Sequence, residues 1–378
     1  MKYSCPECLC PTTHLLEFNY NDICFKCSDH KLKETVDWSV EKEELHSLIN
    51  KYKKNKRDYD CIVPVLGDAN DYYTLLKVLD LGLSPLIICV NDYYKNDIGW
   101  HNLHQLTSYF DVDSLLFNPD IHTYKDLVRT SLRKYNNILL PFLQLQKFFP
   151  IHIAYQRNIP LIIRGERKVV EDFNRNPLVN NNELLDVDTL IGSGAQVNPL
   201  HLNFYKNEIN LKTENRSVKE IYLSDFLPWD PLSQNKNVVN YGFQPEANTS
   251  SFDTYDNAGS SVYYGLHDLL RLKKVGYRKI QEHAAREIRQ RRITREQALK
   301  LINHFSKSPV TIKPFFDWLG VTSSGYEWFK LHQLNGYNHL VNDGFHLYEN
   351  IPYPDNLKHM IQQGQHKKKD HVTFGKGL

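Results

Sequence analysis

Net charge is almost absent from this sequence: 46 lysines and arginines against 44 aspartates and glutamates leave +2 over 378 residues. A basic domain is the usual footprint of nucleic-acid binding, and the near-balance removes that electrostatic argument. Long apolar runs are missing too. The richest stretch, Ile138 to Tyr155, is broken by Pro141, Gln144, Gln146, Lys147 and Pro150, whereas a spanning helix needs ~20 apolar residues in succession. Met1 is followed by polar Lys2, Tyr3 and Ser4 and not by the apolar core of a signal peptide, so cytoplasmic residence is the expectation. There is no internal repeat. With 41% hydrophobic residues, 17 glycines and 17 prolines, the composition excludes collagen-like, mucin-like and wholly disordered classes. The length suggests two to three domains of ~100–200 residues each.

What is present in excess is local. Five of the seven cysteines fall within the first 27 residues. Cys5 and Cys8 form one C-x-x-C, Cys24 and Cys27 a second, and fifteen residues separate the pairs, the span of a zinc ribbon. Two thiolate pairs close a tetrahedron around one structural Zn2+ and leave no open position for catalysis. Disulfides are the competing reading and require an oxidising compartment. Cys10 and His30 lie just outside the pairs and are expected to be neighbours of the site. Cys61 and Cys89 sit in apolar runs and read as buried core thiols.

Beyond the cysteines the pattern alternates. Val40 to Tyr52 has helical spacing, and Cys61 to Leu66 is a short apolar strand. It runs into the turn Gly67-Asp68-Ala69-Asn70-Asp71 and a helix that ends near Gly82. Pro85 to Val90, Ser114 to Phe117 and Pro160 to Arg164 read as further strands, with helices over Trp100 to Phe110 and Tyr124 to Tyr135. Such alternation predicts an α/β fold, a parallel sheet with helices on both faces. Ligands in such sheets bind beyond the carboxyl ends of the strands, here the Gly67 turn, Asn91 and Asp92, and the Arg164-Gly165-Glu166 step. Residues 203–256 are less regular. Helices are expected over Tyr264 to Lys274, Arg278 to Gln290 and from a Thr294 cap. The arginines between 286 and 295 alternate with Glu282, Glu287 and Glu296, which reads as a solvated face of ion pairs. The expected organisation is a zinc-binding module over 1–35, a helical linker over 36–58, an α/β domain over 59–235, a mostly helical region over 236–345 and a basic tail over 346–378.

A strand feeding a glycine turn and then a helix is the layout of a phosphate cradle, because backbone N–H groups and the helix N-terminus face an anion. Together with the cysteine pairs, this turn keeps company with Asp58 to Val65, Ile98-Gly99-Trp100-His101-Asn102, Pro160 to Glu166, Asp225-Phe226-Leu227-Pro228-Trp229-Asp230, Gly265-Leu266-His267-Asp268 and Gly276 through Ala298. In that order the segments resemble the N-acetyl sugar amidotransferase family of bacterial surface-polysaccharide biosynthesis, within the PP-loop ATP pyrophosphatase superfamily. The resemblance runs up to about Lys330. It implies an adenine nucleotide alpha hydrolase-like domain and a role in lipopolysaccharide, O-antigen or other surface-glycan synthesis. The implied reaction converts a sugar acetamido group to an acetamidino group with ATP, Mg2+ and ammonia from a glutaminase partner, on a nucleotide-linked N-acetyl sugar.

Under that resemblance Gly67, Asp68, Asn70, Asp71, Asn91, Arg164 and Gly165 would bind the nucleotide. Glu166, His267, Asp268 and Glu282 would be catalytic, and Trp229, Asp230, Arg278 and Lys279 would hold the sugar. The turn departs from the superfamily's Ser-Gly-Gly-x-Asp-Ser, since Leu66-Gly67-Asp68-Ala69-Asn70-Asp71 keeps only Gly67. Two carboxylates at 4 Å from a polyphosphate cost about 4 kcal/mol each at an effective dielectric near 20 unless a cation intervenes. Asp68, Asn70 and Asp71 are also ordinary turn formers and helix caps. Three readings follow: an active amidotransferase, a catalytically impaired binding or scaffold subunit of the same pathway, and a PP-loop tRNA-modifying protein.

Overall fold

The computed structural model describes residues 4–11, 22–53, 59–166, 187–206, 218–246, 251–259, 261–342 and 350–362. The Lys367-Lys368-Lys369 run expected in a basic tail lies outside them. Along the chain, α1 (Phe25–Glu34) and α2 (Trp38–Tyr52) precede β1 (Cys61–Val65), α3 (Ala69–Asp80), β2 (Pro85–Val90), α4 (Asp97–Phe110) and β3 (Ser114–Phe117). Next come α5 (Ile121–Tyr135), α6 (Leu140–Arg157), β4 (Leu161–Arg164), α7 (Val187–Gly192), α8 (Pro199–Leu202), β5 (Lys219–Tyr222) and α9 (Pro231–Val238). The chain then turns helical through α10 (Ser261–Val275), α11 (Lys279–Arg289), α12 (Arg295–Ser306), α13 (Lys313–Leu319), α14 (Ser323–Trp328) and α15 (Asp355–Lys358). No helix among the described residues is long and apolar enough to cross a membrane.

Two compact units divide the chain: Asp37–Lys95 with Gly99–Phe243, and Met1–Val36 with Asn96–Ile98 and Gln244–Lys376. The first holds the sheet, whose described strands are all parallel in the order β3-β2-β1-β4-β5. β1 and β2 are buried on both faces, as a parallel sheet covered by crossover helices requires. Right-handed crossovers put α3 and α4 on one face and α5 and α6 on the other. Tyr72 on α3 accordingly donates to the Asn102 carbonyl of α4 at 2.6 Å, and Phe149 of α6 stacks on Phe117 of β3 at 4.0 Å. The strand order reverses between β1 and β4, so the switch-point crevice lies between the turns that follow those two strands.

The broken apolar stretch proves to be α6, with Pro141 in its first turn and Pro150 inside it. Proline at a helix start loses no hydrogen bond, and an interior proline kinks a helix without abolishing it where packing holds both halves. β5 was not expected. Its sequence Lys-Glu-Ile-Tyr has one buried residue, Ile221, as an edge strand with a single covered position would.

The second unit joins the N-terminal cysteine module to helices α10 to α15. Ala285 and Ile288 of α11 pack against the cysteine cluster, and Arg295 at the start of α12 donates to the Cys5 carbonyl at 3.2 Å. The arginine-rich helix differs from a solvated face. Glu287 is 0% exposed and lies between Arg286, at 2.6 Å, and Arg292, while Arg286 also binds buried Asp253 at 2.7 Å. The ion pairs anticipated from the alternation exist, and several of them are inside.

Candidate functional site

The turn after β1 is built around one carboxylate. Asp71 Oδ2 accepts from the backbone N–H groups of Leu66, Gly67 and Asp68 at 2.6, 3.0 and 3.1 Å. Asp68 caps α3 by accepting from Ala69 N at 2.9 Å, and Asp71 completes the reciprocal capping box. Gly67 has φ +89°, and a Cβ there would lie 2.9 Å from the Leu103 backbone nitrogen, so only glycine fits. Three convergent N–H groups make a nest for an anion, and here the chain's own carboxylate is the anion.

The far side of the crevice is crowded around Gly165. At Gly165, after β4, an added Cβ would stand 2.2 Å from Thr74 Oγ1, 3.2 Å from the Trp229 ring and 3.3 Å from Asn70 Nδ2. Trp229 meets Tyr73 edge-on at 5.2 Å, and both rings are half-buried. Asn70 Oδ1 and Trp229 Nε1 are buried with no hydrogen-bond partner among the described residues. Asn91 is 0% exposed and holds Asn118 at 2.7 Å and Tyr93 N at 2.8 Å. Arg164 pairs with Glu220 at 2.5 Å. Asp230 takes the N-cap position of α9 ahead of Pro231, and Glu166 is half-buried one residue beyond Gly165.

Lys95 escaped the sequence reading. It is 2% exposed, and its ammonium lies 3.3 Å from buried Asp92 Oδ1, just beyond β2. Burial disfavours its charge, yet Asp92 and, more weakly, Asp71 outweigh that and raise its pKa. A lysine a few residues past an apolar strand was the available signal. Asp71 thus has both backbone donors and a buried cation acting on it. The residues present therefore do not fit the phosphates of ATP, because the donors an ATP phosphate would need are already engaged.

The cysteine module gives the opposite result. The sulfurs of Cys5, Cys8, Cys24 and Cys27 all lie within 4.8 Å of one another and all four residues are buried. Cys8 and Cys24 are 3.5 Å apart and Cys5 and Cys27 3.9 Å, bracketing the ~3.8 Å edge of a tetrahedron with ~2.3 Å Zn–S bonds. Cys24 N donates to Cys5 Sγ at 3.4 Å and Arg289 to Cys8 Sγ at 3.5 Å, contacts that stabilise thiolates. Hydrogen bonds from Cys10 and its neighbours pull Cys8 down and Cys24 to about 6. Burial raises Cys5, and bonding to Cys24, with burial adding to it, raises Cys10 and Cys27. So many thiols this close share few negative charges without a cation, and a metal such as zinc fits. Cys61 and Cys89 are core thiols, 0% and 3% exposed, with burial pushing Cys89 up to about 12.

A third group lies between α10 and α11. Arg278 is 0% exposed and binds Asp268 Oδ2 at 2.7 Å and the carbonyls of Phe305 and Ser308 at 3.0 and 2.8 Å. Asp268 Oδ1 also accepts from Lys279 N at 2.6 Å, so this pair ties three helices together. Beside it Arg271 stands 3.5 Å from Glu282, Tyr277 donates to Glu282 at 3.3 Å, and Lys279 meets Asp256 at 2.5 Å. Burial opposes the charge on Glu282, but Arg271, Lys26 and Lys279 prevail and hold its carboxyl near about 2. His267 is 7% exposed, its Nδ1 has no partner among the described residues, and burial with Arg271 and Lys279 nearby keeps the ring neutral. His267, Lys279 and Glu282 therefore come together in one unit, while Asp268 and Arg278 form its brace. The residues around Gly67 belong to the other unit.

A comparison with curated proteins finds no match to the chain. Residues 249–352, which contain the whole α10–α11 group, match the family model described as LPS biosynthesis protein WbpG-like, C-terminal domain.

Proposed function

We propose that the protein serves lipopolysaccharide or related surface-glycan synthesis as a binding subunit whose sheet no longer uses ATP. The match over residues 249–352 supports the pathway. A single observation carries the loss of ATP use: the Asp71 carboxylate occupies the three N–H groups of the Gly67 turn. A phosphate entering that nest would have to displace a carboxylate held by three donors and add its own charge beside Asp68. The ligand of such a subunit is a nucleotide-linked N-acetyl sugar.

Incubating the protein with ATP, Mg2+, ammonium and a nucleotide-linked N-acetyl sugar tests this. The expected result is no AMP release above a blank. AMP formed in step with an amidine product, and lost in Gly67→Val, would overturn it.

The active amidotransferase reading, with its glutaminase partner, keeps one observation in its favour, the polar group of His267, Lys279 and Glu282 inside the matched segment. The tRNA-modifying reading would need a reactive thiol pair in the sheet, and Cys61 and Cys89 do not form one. Cys61 pairs in register with Pro85, and Cys89 with Val65 four residues further along the sheet, about 13 Å away at ~3.3 Å per residue.

A further inference from the structure

A zinc tetrahedron uses four thiolates, and this module buries five thiols. Cys5, Cys8, Cys24 and Cys27 are the set whose sulfurs all lie within 4.8 Å of one another, and Cys10 belongs to the same buried cluster at 1% exposure. Its thiol hydrogen-bonds with those of Cys8 and Cys24. The knuckle does not need that thiol. Its loop is closed by the Cys10 backbone, whose carbonyl accepts from Cys5 N at 2.8 Å, and Leu9 makes the turn at φ +63°. Any small apolar side chain would fill the space. A fifth sulfur set against metal-binding thiolates adds a capacity that packing does not ask for: it can close a disulfide with a ligand that has been oxidised.

The surroundings favour that chemistry. Arg289 donates to Cys8 Sγ at 3.5 Å and Cys24 N to Cys5 Sγ at 3.4 Å, contacts that hold sulfur as the thiolate, the form that attacks peroxides. Residues beside the ligands in sequence reach solvent. Pro6 and Phe25 are exposed and Glu7 and Lys26 half-buried, so a peroxide, little larger than water, has a short way to the sulfurs. On the inner side Ala285 and Ile288 of α11 pack on the cluster, and Arg295 holds the carbonyls of Cys5 and Pro6. The helices of the same unit therefore feel the state of the sulfurs.

We propose that Cys10 is the resolving thiol of a peroxide-sensitive metal switch, in which a disulfide from Cys10 to Cys8 or Cys24 expels the zinc and a thiol reductant restores it. In the first step a ligand thiolate attacks the peroxide: an S–O bond forms, the O–O bond breaks, and the departing hydroxide takes a solvent proton to become water. In the second, the Cys10 sulfur attacks the sulfenic sulfur: the S–S bond forms, the S–O bond breaks, and hydroxide leaves with the Cys10 proton as a second water. Two sulfurs have given up one electron each, and the peroxide has taken both. The three thiolates that remain bind zinc less tightly than four. Without Cys10 the sulfenic acid goes on to sulfinic and sulfonic acids, which thiols do not reduce. None of this depends on what the sheet binds.

The full zinc-loaded chain, freed of reductant, is treated with hydrogen peroxide while a chromogenic chelator reads released Zn2+ and mass spectrometry maps the disulfides. Release should track a disulfide that contains Cys10, and dithiothreitol with added zinc should return the metal in full. Hydrogen exchange at Ala285 and Ile288 should quicken on oxidation and slow again on reduction. Cys10→Ser and Cys10→Val, the second filling the apolar space if serine does not, should carry as much zinc as the parent before oxidation, which loss of a ligand would not allow. After the same treatment they should recover less than about half of it, with sulfinic or sulfonic acid on Cys8 or Cys24. Zinc held through peroxide treatment, release without a Cys10 disulfide, zinc lost from both variants before oxidation, or variants as reversible as the parent would overturn the proposal.

Discussion

Asp71→Ala is the sharpest perturbation available in the sheet unit. It deletes the acceptor for three backbone donors, of which Gly67 is buried and Leu66 and Asp68 are half-buried. A lost bond to a charged acceptor costs about 1.5–3 kcal/mol where water cannot replace it, and less where it can. Loss of the reciprocal cap on α3 costs about 1 kcal/mol more. Half-burial discounts two of the three bonds, and the total comes to about 3 kcal/mol. For a unit of this size that is a fall of about 6–12 °C in the melting temperature. Asp71→Asn keeps one acceptor oxygen and should lose only about 1 kcal/mol. Thermal unfolding followed by circular dichroism measures both. A local readout accompanies it: with the nest vacated, pyrophosphate should shift the Gly67 amide resonance in Asp71→Ala and leave it unmoved in the parent. An alanine variant within 0.5 kcal/mol of the parent, or a Gly67 amide that responds to pyrophosphate in the parent, would refute the occupied nest.

Three further outcomes are expected. Cys8→Ser should lower bound zinc below one equivalent by atomic absorption and loosen residues 4–11 and 22–35 in hydrogen exchange, together with the α11 residues Ala285 and Ile288 that pack on the cysteine cluster. The folded pKa of His267 lies well below 6.5, so the unfolded chain binds the extra proton; stability is whole above pH 6.5 and falls below it by up to about 1.4 kcal/mol per pH unit. His267→Gln should flatten that slope in urea titrations between pH 7 and pH 5, and an unchanged slope would contradict a neutral buried ring. Arg278→Met leaves the Asp268 carboxylate without its buried partner and frees the Phe305 and Ser308 carbonyls, a loss of about 3–5 kcal/mol by chemical denaturation.

Local pattern made much of the sheet legible. The apolar strand Pro85–Val90, set off by Gly82 and Asn91, has the bounds that its composition indicates, as does Ser114–Phe117. β5 left no such trace, because an edge strand that buries only Ile221 needs no apolar run. The helix α6 was hidden by prolines whose cost is visible in sequence while the packing that offsets it is not. At the turn, the acids were evident and so was their awkwardness beside a phosphate. That Asp71 points into the nest depends on side-chain direction, which spacing does not encode. The cysteine spacing gave the ligand set, and the geometry is consistent with it. Its packing on α11, some 250 residues away in sequence, is long-range information that no local motif carries.

That separation also sets an order of events during synthesis. Met1–Val36 belongs to the same compact unit as Gln244–Lys376, so the thiols emerge long before Ala285, Ile288 and Arg289 exist to cover them. At about 5–20 residues per second the ribosome leaves the nascent module waiting roughly 13–50 s for its helical partner. Five closely spaced cysteines are open to oxidation and to the wrong metal throughout that interval. Early capture of zinc, before the rest of its own unit has been made, would protect them.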